Sequence, residues 1–163
     1  MVKGPVTTSP FSAWIRVLRP GNLLIIAASI AVLRWSYSNH IPESGEYFLE
    51  ILFILPLVLL AAGGNIINDY FDIKEDRVNK PERALVGRVL KRRIALVSHW
   101  GLSAAGLIIA GILSVKINTS IPFIIALIIA IVLFLYSTKF KGSVLVGNVI
   151  VACAVASVVP FAY

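Results

Sequence analysis

Five apolar segments, separated by polar and charged stretches, organise the chain. They run from about Pro10 to Tyr37 and over Phe48–Ile67, Ile94–Val115, Ile121–Tyr136 and Val144–Tyr163. A bilayer core of about 30 Å asks for roughly 20 residues of helix. Lipid cannot satisfy free backbone groups, and the sequence lacks the alternating segments of about ten residues that are typical of barrel strands. The pattern therefore predicts an all-α fold, a polytopic transmembrane bundle of about five helices.

Composition narrows the class of protein further. Of 163 residues, 58% are hydrophobic and 14% are charged, whereas soluble domains average about 45–50% apolar and about 25% charged residues. A small soluble domain could not bury so much apolar surface. The lone Cys153 excludes an internal disulfide and a cysteine-based metal site. We therefore expect one membrane domain over residues 1–163 and exclude a soluble enzyme, a disordered tail and a disulfide scaffold.

The charge distribution predicts the topology. The net charge is +7, and thirteen of the fifteen basic residues lie before the first segment's apolar part, between the second and third segments, or between the fourth and fifth. Only Arg34 and Lys116 lie on the other side, with Glu43, Glu46 and Glu50. The positive-inside rule then places the N-terminus in the cytoplasm of a protein of the cell membrane. In this setting the basic residues indicate topology and anionic lipid or substrate partners, and no nucleic acid.

A row of polar residues continues the second apolar segment past the membrane edge. Asn65, Asn68, Asp69, Asp72 and Asp76, called the polar ladder below, share one stripe of a continuous helix. Like charges one turn apart destabilise a helix, and anions oppose the helix dipole at its C-terminal end. Acidic residues at the membrane edge are functional candidates, so the ladder is a candidate site rather than a solvated helix end.

The chemistry that suits such a ladder is binding of a hard cation. Mg²⁺ takes oxygen ligands, usually one or two carboxylates together with phosphate and water oxygens. No Cys or His joins the ladder, which excludes a soft-metal site. Lys80, Arg83 and Arg88 follow in the same loop, where basic groups can bind phosphate oxygens. The sequence therefore predicts a site for a Mg²⁺–diphosphate.

Four motifs, in this order along the chain, resemble the UbiA superfamily of intramembrane prenyltransferases. The stretch Asn68–Asp76 resembles the family's NDxxDxxxD motif, and Asn79–Arg83 resembles its N-K-P-x-R stretch. Upstream, Leu18–Leu24 resembles the R-P-x-N opening of its first helix, and Tyr136–Lys141 its Tyr/Lys loop. Each motif lies on the predicted cytoplasmic side, which would make that side the active face.

The resemblance assigns roles to particular residues. Prenyl diphosphate would be bound through Mg²⁺ by Asn68, Asp69, Asp72 and Asp76. Its phosphates would contact Arg83, Arg88, Tyr136, Lys139 and Lys141. The catalytic residues would be Asp72, Asp76 and Arg83, and the substrate cavity would contain Asn22 and Asn65. The lysines stand three and five positions into the Tyr/Lys loop, counting from Tyr136, whereas the family spacing is Tyr-x-x-x-Lys.

The implied function is Mg²⁺-dependent transfer of a prenyl group from a prenyl diphosphate to a lipophilic acceptor among the membrane lipids. The acceptor is either an aromatic quinone precursor or of the glycerol phosphate type. The family consists of two similar halves, each with an aspartate-rich motif, and no acidic residue follows Glu82 here. The sequence is therefore expected to correspond to an N-terminal half, with an incomplete active site.

Two alternatives come from other classes of protein. A membrane module that binds divalent metal or lipid diphosphate without catalysis is favoured by the missing second motif. A cation transporter is disfavoured, because the acidic residues form one cluster at the membrane edge. Elsewhere, His99 is typical of a membrane interface, and Gly63 and Gly64 indicate close helix packing or a kink.

Overall fold

The computed structural model describes residues 9–38, 46–79, 84–140 and Phe161. The helices are α1 (Pro10–Leu18), α2 (Pro20–Ser38), α3 (Tyr47–Phe71), α4 (Ile73–Asn79), α5 (Arg92–Lys116) and α6 (Ile121–Leu135), and a π-helical turn (Tyr136–Phe140) follows α6. Within these ranges the chain forms no β-strand, only an isolated bridge between Val86 and Leu90. The all-α prediction is confirmed. Of the fifth predicted segment, Val144–Tyr163, only Phe161 lies within the described residues.

Three helices are long and apolar enough to cross a bilayer, namely α3, α5 and the continuous helix Ile121–Thr138. The pair α1 and α2 makes a fourth candidate span if it is counted as one bent element. The prediction of one helix from about Pro10 to Tyr37 is therefore wrong at Arg19, where the two helices meet at 41°. The cause is local: Pro20 has no N–H to donate and disfavours the helical conformation in the residue before it.

Helix α3 is the centre of the bundle, because α1, α2, α5 and α6 all pack against it. Its contact with α5 is the most extensive and depends on small residues. A Cβ atom on Gly63 would lie 3.1 Å from Ser103 Oγ, and one on Gly106 would lie 3.0 Å from the carbonyl oxygen of Pro56. Small residues let helix backbones approach closely in lipid, where helix association depends on packing. Gly63 therefore serves close packing, as predicted.

We expect Gly106→Ala to destabilise the bundle although alanine favours helix. The new methyl group would press on the backbone of α3, and overpacking of this kind costs about 1–3 kcal/mol. Gly101→Ala is the matched control on the same helix, because a Cβ atom there meets nothing within 4 Å. The measurement is the thermal unfolding midpoint of the purified chain in detergent. Equal midpoints for the two variants would contradict the close approach.

A second buried cluster lies at the end of the bundle where α3 finishes. Leu85, Val86 and Leu90 of the loop before α5 are buried there with Val17 of α1 and Ile66 of α3. The loop turns sharply at Gly87, whose φ of 80° is accessible to glycine without strain. Its N–H donates to the carbonyl of Leu90 at 2.7 Å. The loop that follows the ladder is thus packed onto the helices that carry the candidate site.

The opposite end of the bundle has its own charged contact. Arg34 on α2 pairs with Glu50 in the first turn of α3, with 2.8 Å between Nη2 and Oε1. The guanidinium also lies over the ring of Phe53, 3.9 Å from its centroid. Arg34 and Glu50, which the charge pattern places on the same side, are therefore in direct contact. Which side of the membrane this end faces remains a prediction.

Candidate functional site

The polar ladder lies where α3 passes into α4. Asp72 separates the two helices, with φ −78° and ψ −1°, so the prediction of one uninterrupted helix is wrong at this residue. The helical hydrogen bonds nevertheless continue: Asp72 N–H donates to Asn68 O, and Asp76 N–H donates to Asp72 O. Carboxylates at a helix C-terminus oppose the dipole, which accounts physically for an interruption here. The ladder residues therefore still follow one another along a nearly continuous helical backbone from α3 into α4.

Asn68 and Asp72 form a direct pair inside the ladder. The Asn68 amide donates to Asp72 Oδ2 at 2.9 Å. Asp72 is buried, with 6% of its surface exposed, whereas Asp76, one turn further on, is half-buried. A buried carboxylate needs hydrogen-bond partners, and Asn68 supplies one of them. This part of the ladder holds the Asp72 carboxylate in a fixed orientation, one helical turn before Asp76.

Asn65 and Asp69 are directed toward the first span. The Asn65 amide donates to the carbonyl oxygen of Leu18 at 2.9 Å. Asp69 Oδ1 accepts from Arg19 Nη2 at 2.6 Å. Asn22, the other predicted cavity residue, is exposed in the first turn of α2, where its backbone N–H donates to the carbonyl of Arg19. Asn65 and Asp69 therefore contact the break in the first span.

The structure describes only some of the basic residues in and around the loop before α5. Arg88 is exposed in the turn after Gly87, and Arg77 of α4 donates to the Gly87 carbonyl at 3.4 Å. Arg92, at the start of α5, lies over the ring of Tyr70, 5.1 Å from its centroid. The predicted phosphate ligand Arg83 lies outside the described residues. Positive charge on α4, on the loop and on α5 thus lies at the ladder's end of the bundle.

The end of α6 reaches the same end of the bundle. Tyr136 begins a π-helical turn that packs against α3, and its side chain is half-buried. Ser137 and Thr138 donate back to the carbonyls of Leu133 and Phe134. Hydroxyl groups that bond back in this way often bend helices, and π-helical turns are frequent at functional sites. The Lys139 side chain and Lys141 lie outside what the structure describes.

Aromatic contacts connect α6 to α3 and α5 just below this turn. The Phe134 ring lies 6.4 Å from that of Phe71 and is stacked on His99 at 5.9 Å. His99 is buried and its Nδ1 is 3.1 Å from the carbonyl oxygen of Gly63. The side chain is therefore packed inside the bundle, and the predicted position of His99 at a membrane interface stays a prediction. Packing against Gly63 of α3 explains its burial.

The donor set at the ladder fits a hard cation. Asn68, Asp72 and Asp76 offer amide and carboxylate oxygens, which are the ligands Mg²⁺ prefers. Within the described ranges, no three His, Cys, Asp or Glu side chains converge as a complete metal cage. An incomplete protein cage is typical of Mg²⁺ sites in which phosphate and water oxygens supply the other ligands. The residues present therefore fit a metal that arrives with a phosphate ligand.

Comparison with known proteins identifies the family to which the chain belongs. Residues 23–163 match the sequence model of the UbiA prenyltransferase family. The chain belongs to that family, as the motifs predict. With its apolar helices, it is an integral membrane protein.

The particular relatives share one description. Digeranylgeranylglyceryl phosphate synthase of Thermococcus kodakarensis is 35% identical over 144 residues, which are 87% of this chain and 48% of the relative. The protein of that name from Sulfolobus acidocaldarius is 46% identical over 108 residues, 62% of this chain and 36% of the relative. A solved structure from work on digeranylgeranylglyceryl phosphate synthase in membranes superposes with TM-score 0.80 at 30% identity, covering 94% of this chain and 52% of that one. The chain thus spans about half the length of the Thermococcus relative and of the solved structure.

Proposed function

We propose that this chain acts in the transfer of a prenyl group from a prenyl diphosphate to a glyceryl phosphate lipid, with Mg²⁺ bound at the ladder. The observation that carries the proposal is the buried Asp72 carboxylate, oriented by Asn68 beside Asp76, in a chain similar to digeranylgeranylglyceryl phosphate synthases. The ladder faces the cytoplasm in this proposal, in accordance with the distribution of basic residues.

Each residue set has a defined task. Asn68, Asp72 and Asp76 hold the metal, which when bound would stabilise charge on the departing diphosphate. Arg83 and Arg88, with Tyr136 and either Lys139 or Lys141, bind the phosphate oxygens and keep that leaving group oriented. Apolar walls of the helices hold the isoprenoid chain and exclude water from the allylic carbon.

The reaction replaces one carbon–oxygen bond with another. The bond between the allylic carbon and the diphosphate oxygen breaks, and the electron pair leaves with the diphosphate. A hydroxyl oxygen of the glyceryl lipid forms the new ether bond, and its proton passes to solvent. The glyceryl acceptor is preferred over an aromatic one because the similar proteins are named for a glyceryl phosphate product.

A transfer assay tests the acceptor class. The purified chain in nanodiscs is incubated with Mg²⁺, radiolabelled geranylgeranyl diphosphate and either a glyceryl phosphate that carries one geranylgeranyl ether or an aromatic carboxylate. We expect the label that is transferred to enter the glyceryl lipid only, at a low rate because the active site of this chain is expected to be incomplete, and EDTA to abolish its incorporation. Label in the aromatic acceptor would contradict the proposed acceptor. Binding of the diphosphate with no release for any acceptor would instead favour a non-catalytic membrane module.

A further inference from the structure

Two residues of the polar ladder contact the first span, and one of them, Asp69, also interacts with Asn68 and Asp76. Asn68 and Asp72 are hydrogen-bonded to each other. Asn65 and Asp69, one turn apart on α3, each hold one of two consecutive residues at the break between α1 and α2. Asn65 binds the Leu18 carbonyl at 2.9 Å, and Asp69 binds the Arg19 guanidinium at 2.6 Å.

The break needs these contacts for reasons of backbone chemistry. The Leu18 carbonyl is at the end of α1, where helix carbonyls have no partner within the helix. Arg19 has φ 55° and ψ 62°, a left-handed conformation that is strained for a residue with a side chain of this size. Such a conformation persists only when its surroundings hold it. Asn65 satisfies the carbonyl, and Asp69 fixes the strained residue by its charge.

The ion pair of Arg19 with Asp69 also affects whether Asp69 can bind a cation. Asp69 has 14% of its side chain exposed, whereas Arg19 has 42% exposed. The guanidinium covers the carboxylate, so that a metal ion bound by Asp69 would have to displace Arg19 or lie beside its positive charge. The Arg19 guanidinium thus makes Asp69 poorly suited to hold a cation.

We propose that Leu18, Arg19, Asn65 and Asp69 form a joint that fixes the broken first span to α3, and that Asp69 is a positioning residue and not a metal ligand. This inference rests on the proposed function, because it assigns the metal to Asn68, Asp72 and Asp76. The joint sets where α1 and α2 stand relative to the ladder. It therefore acts on metal binding through the position of the helices.

Charge reversal separates a joint from a ligand. The probe is Mn²⁺, titrated into the full chain in nanodiscs and followed by the loss of the free-ion EPR signal, beside thermal unfolding midpoints. We expect Arg19→Asp and Asp69→Arg each to weaken Mn²⁺ binding about tenfold or more, as changes around a metal's immediate ligands commonly do. The double variant should bind within about threefold of the unaltered chain, since the pair is restored. Because the arginine that replaces Asp69 cannot ligate Mn²⁺, recovered binding in the double variant would show that no metal ligand is needed at this position. A folded double variant that does not recover Mn²⁺ binding would overturn the proposal.

A conservative pair of variants gives the same answer without reversed charges. Asp69→Asn keeps an oxygen that accepts from Arg19, and Asp72→Asn makes the identical change at a proposed ligand. We expect Asp69→Asn to change the Mn²⁺ dissociation constant less than about threefold while it lowers the unfolding midpoint. Asp72→Asn should weaken binding more than about tenfold. Equal weakening by the two variants would overturn the positioning role.

Failure of the proposed function would give a different result. If the unaltered chain binds no Mn²⁺, with or without geranylgeranyl diphosphate, the metal assignment fails. The joint is then judged from the unfolding midpoints of the charge-reversal series. Recovery of the midpoint in the double variant supports the joint, and purely additive effects of the single changes overturn it.

Discussion

Asp72→Asn is expected to weaken the Mg²⁺-dependent binding of geranylgeranyl diphosphate more than about tenfold. The substitution removes the charge of the buried carboxylate that Asn68 orients, while the amide that replaces it has almost the same shape. Loss of a charged contact to a bound ion costs about 2 kcal/mol or more, which weakens binding more than about tenfold. The measurement is retention of radiolabelled diphosphate by the chain in nanodiscs across a Mg²⁺ titration.

Glu75→Gln is the matched control for this experiment. Glu75 lies on α4, three residues further along, and its side chain is exposed. It loses the same charge, so a general electrostatic effect on an anionic ligand would appear in both variants. We expect Glu75→Gln to bind the diphosphate with unchanged Mg²⁺ dependence. Unchanged Mg²⁺ dependence in Asp72→Asn would instead remove the ladder from the metal site.

The spans could be predicted because length and apolarity determine them. The predicted segment Phe48–Ile67 lies within α3, and Ile94–Val115 lies within α5. A run of apolar residues has to cross the bilayer as helix whatever its neighbours are, so local sequence suffices. The charge pattern likewise predicted that Arg34 and Glu50 lie on the same side of the membrane. In the structure they form an ion pair at one end of the bundle.

The pattern of apolar residues did not predict the break in the first span. The residues around Arg19 remain compatible with one amphipathic helix, yet the helix stops there. The signal was present in the following Pro20, because the residue before a proline is displaced from the helical region. The single helix was predicted from the spacing of the apolar residues, which continues past Pro20.

The spacing of the ladder residues could not predict that Asp69 and Asp72 have different contacts. On a helix wheel Asp69 and Asp72 share a stripe, and both match the family's motif. Their difference comes from Arg19, fifty residues away in sequence, which contacts Asp69 across the joint. A contact of this range depends on how α1 and α3 cross, and this depends on packing across the whole bundle. Local pattern could identify the cluster, whereas only tertiary structure separates its members.

Glu50→Ala is expected to destabilise the chain strongly at the end of the bundle opposite the ladder. Arg34 and Glu50 have only 16% and 18% of their side chains exposed. Removal of the carboxylate deprives a largely buried guanidinium of this ion pair, and breaking buried pairs in this way costs about 3–5 kcal/mol. The cation–π contact with Phe53 remains and offsets a small part of this loss. The measurement is the thermal unfolding midpoint in detergent.

The double variant Arg34→Met with Glu50→Leu distinguishes a buried charge from lost packing. Replacement of a whole buried ion pair by apolar residues of similar volume is often neutral or stabilising. We therefore expect the double variant to unfold near the midpoint of the unaltered chain, while Glu50→Ala unfolds far below it. If the double variant is as unstable as the single one, the stabilisation comes from the shape of the two side chains. In that case the loss of the ion pair with Glu50 is not the cause of the instability.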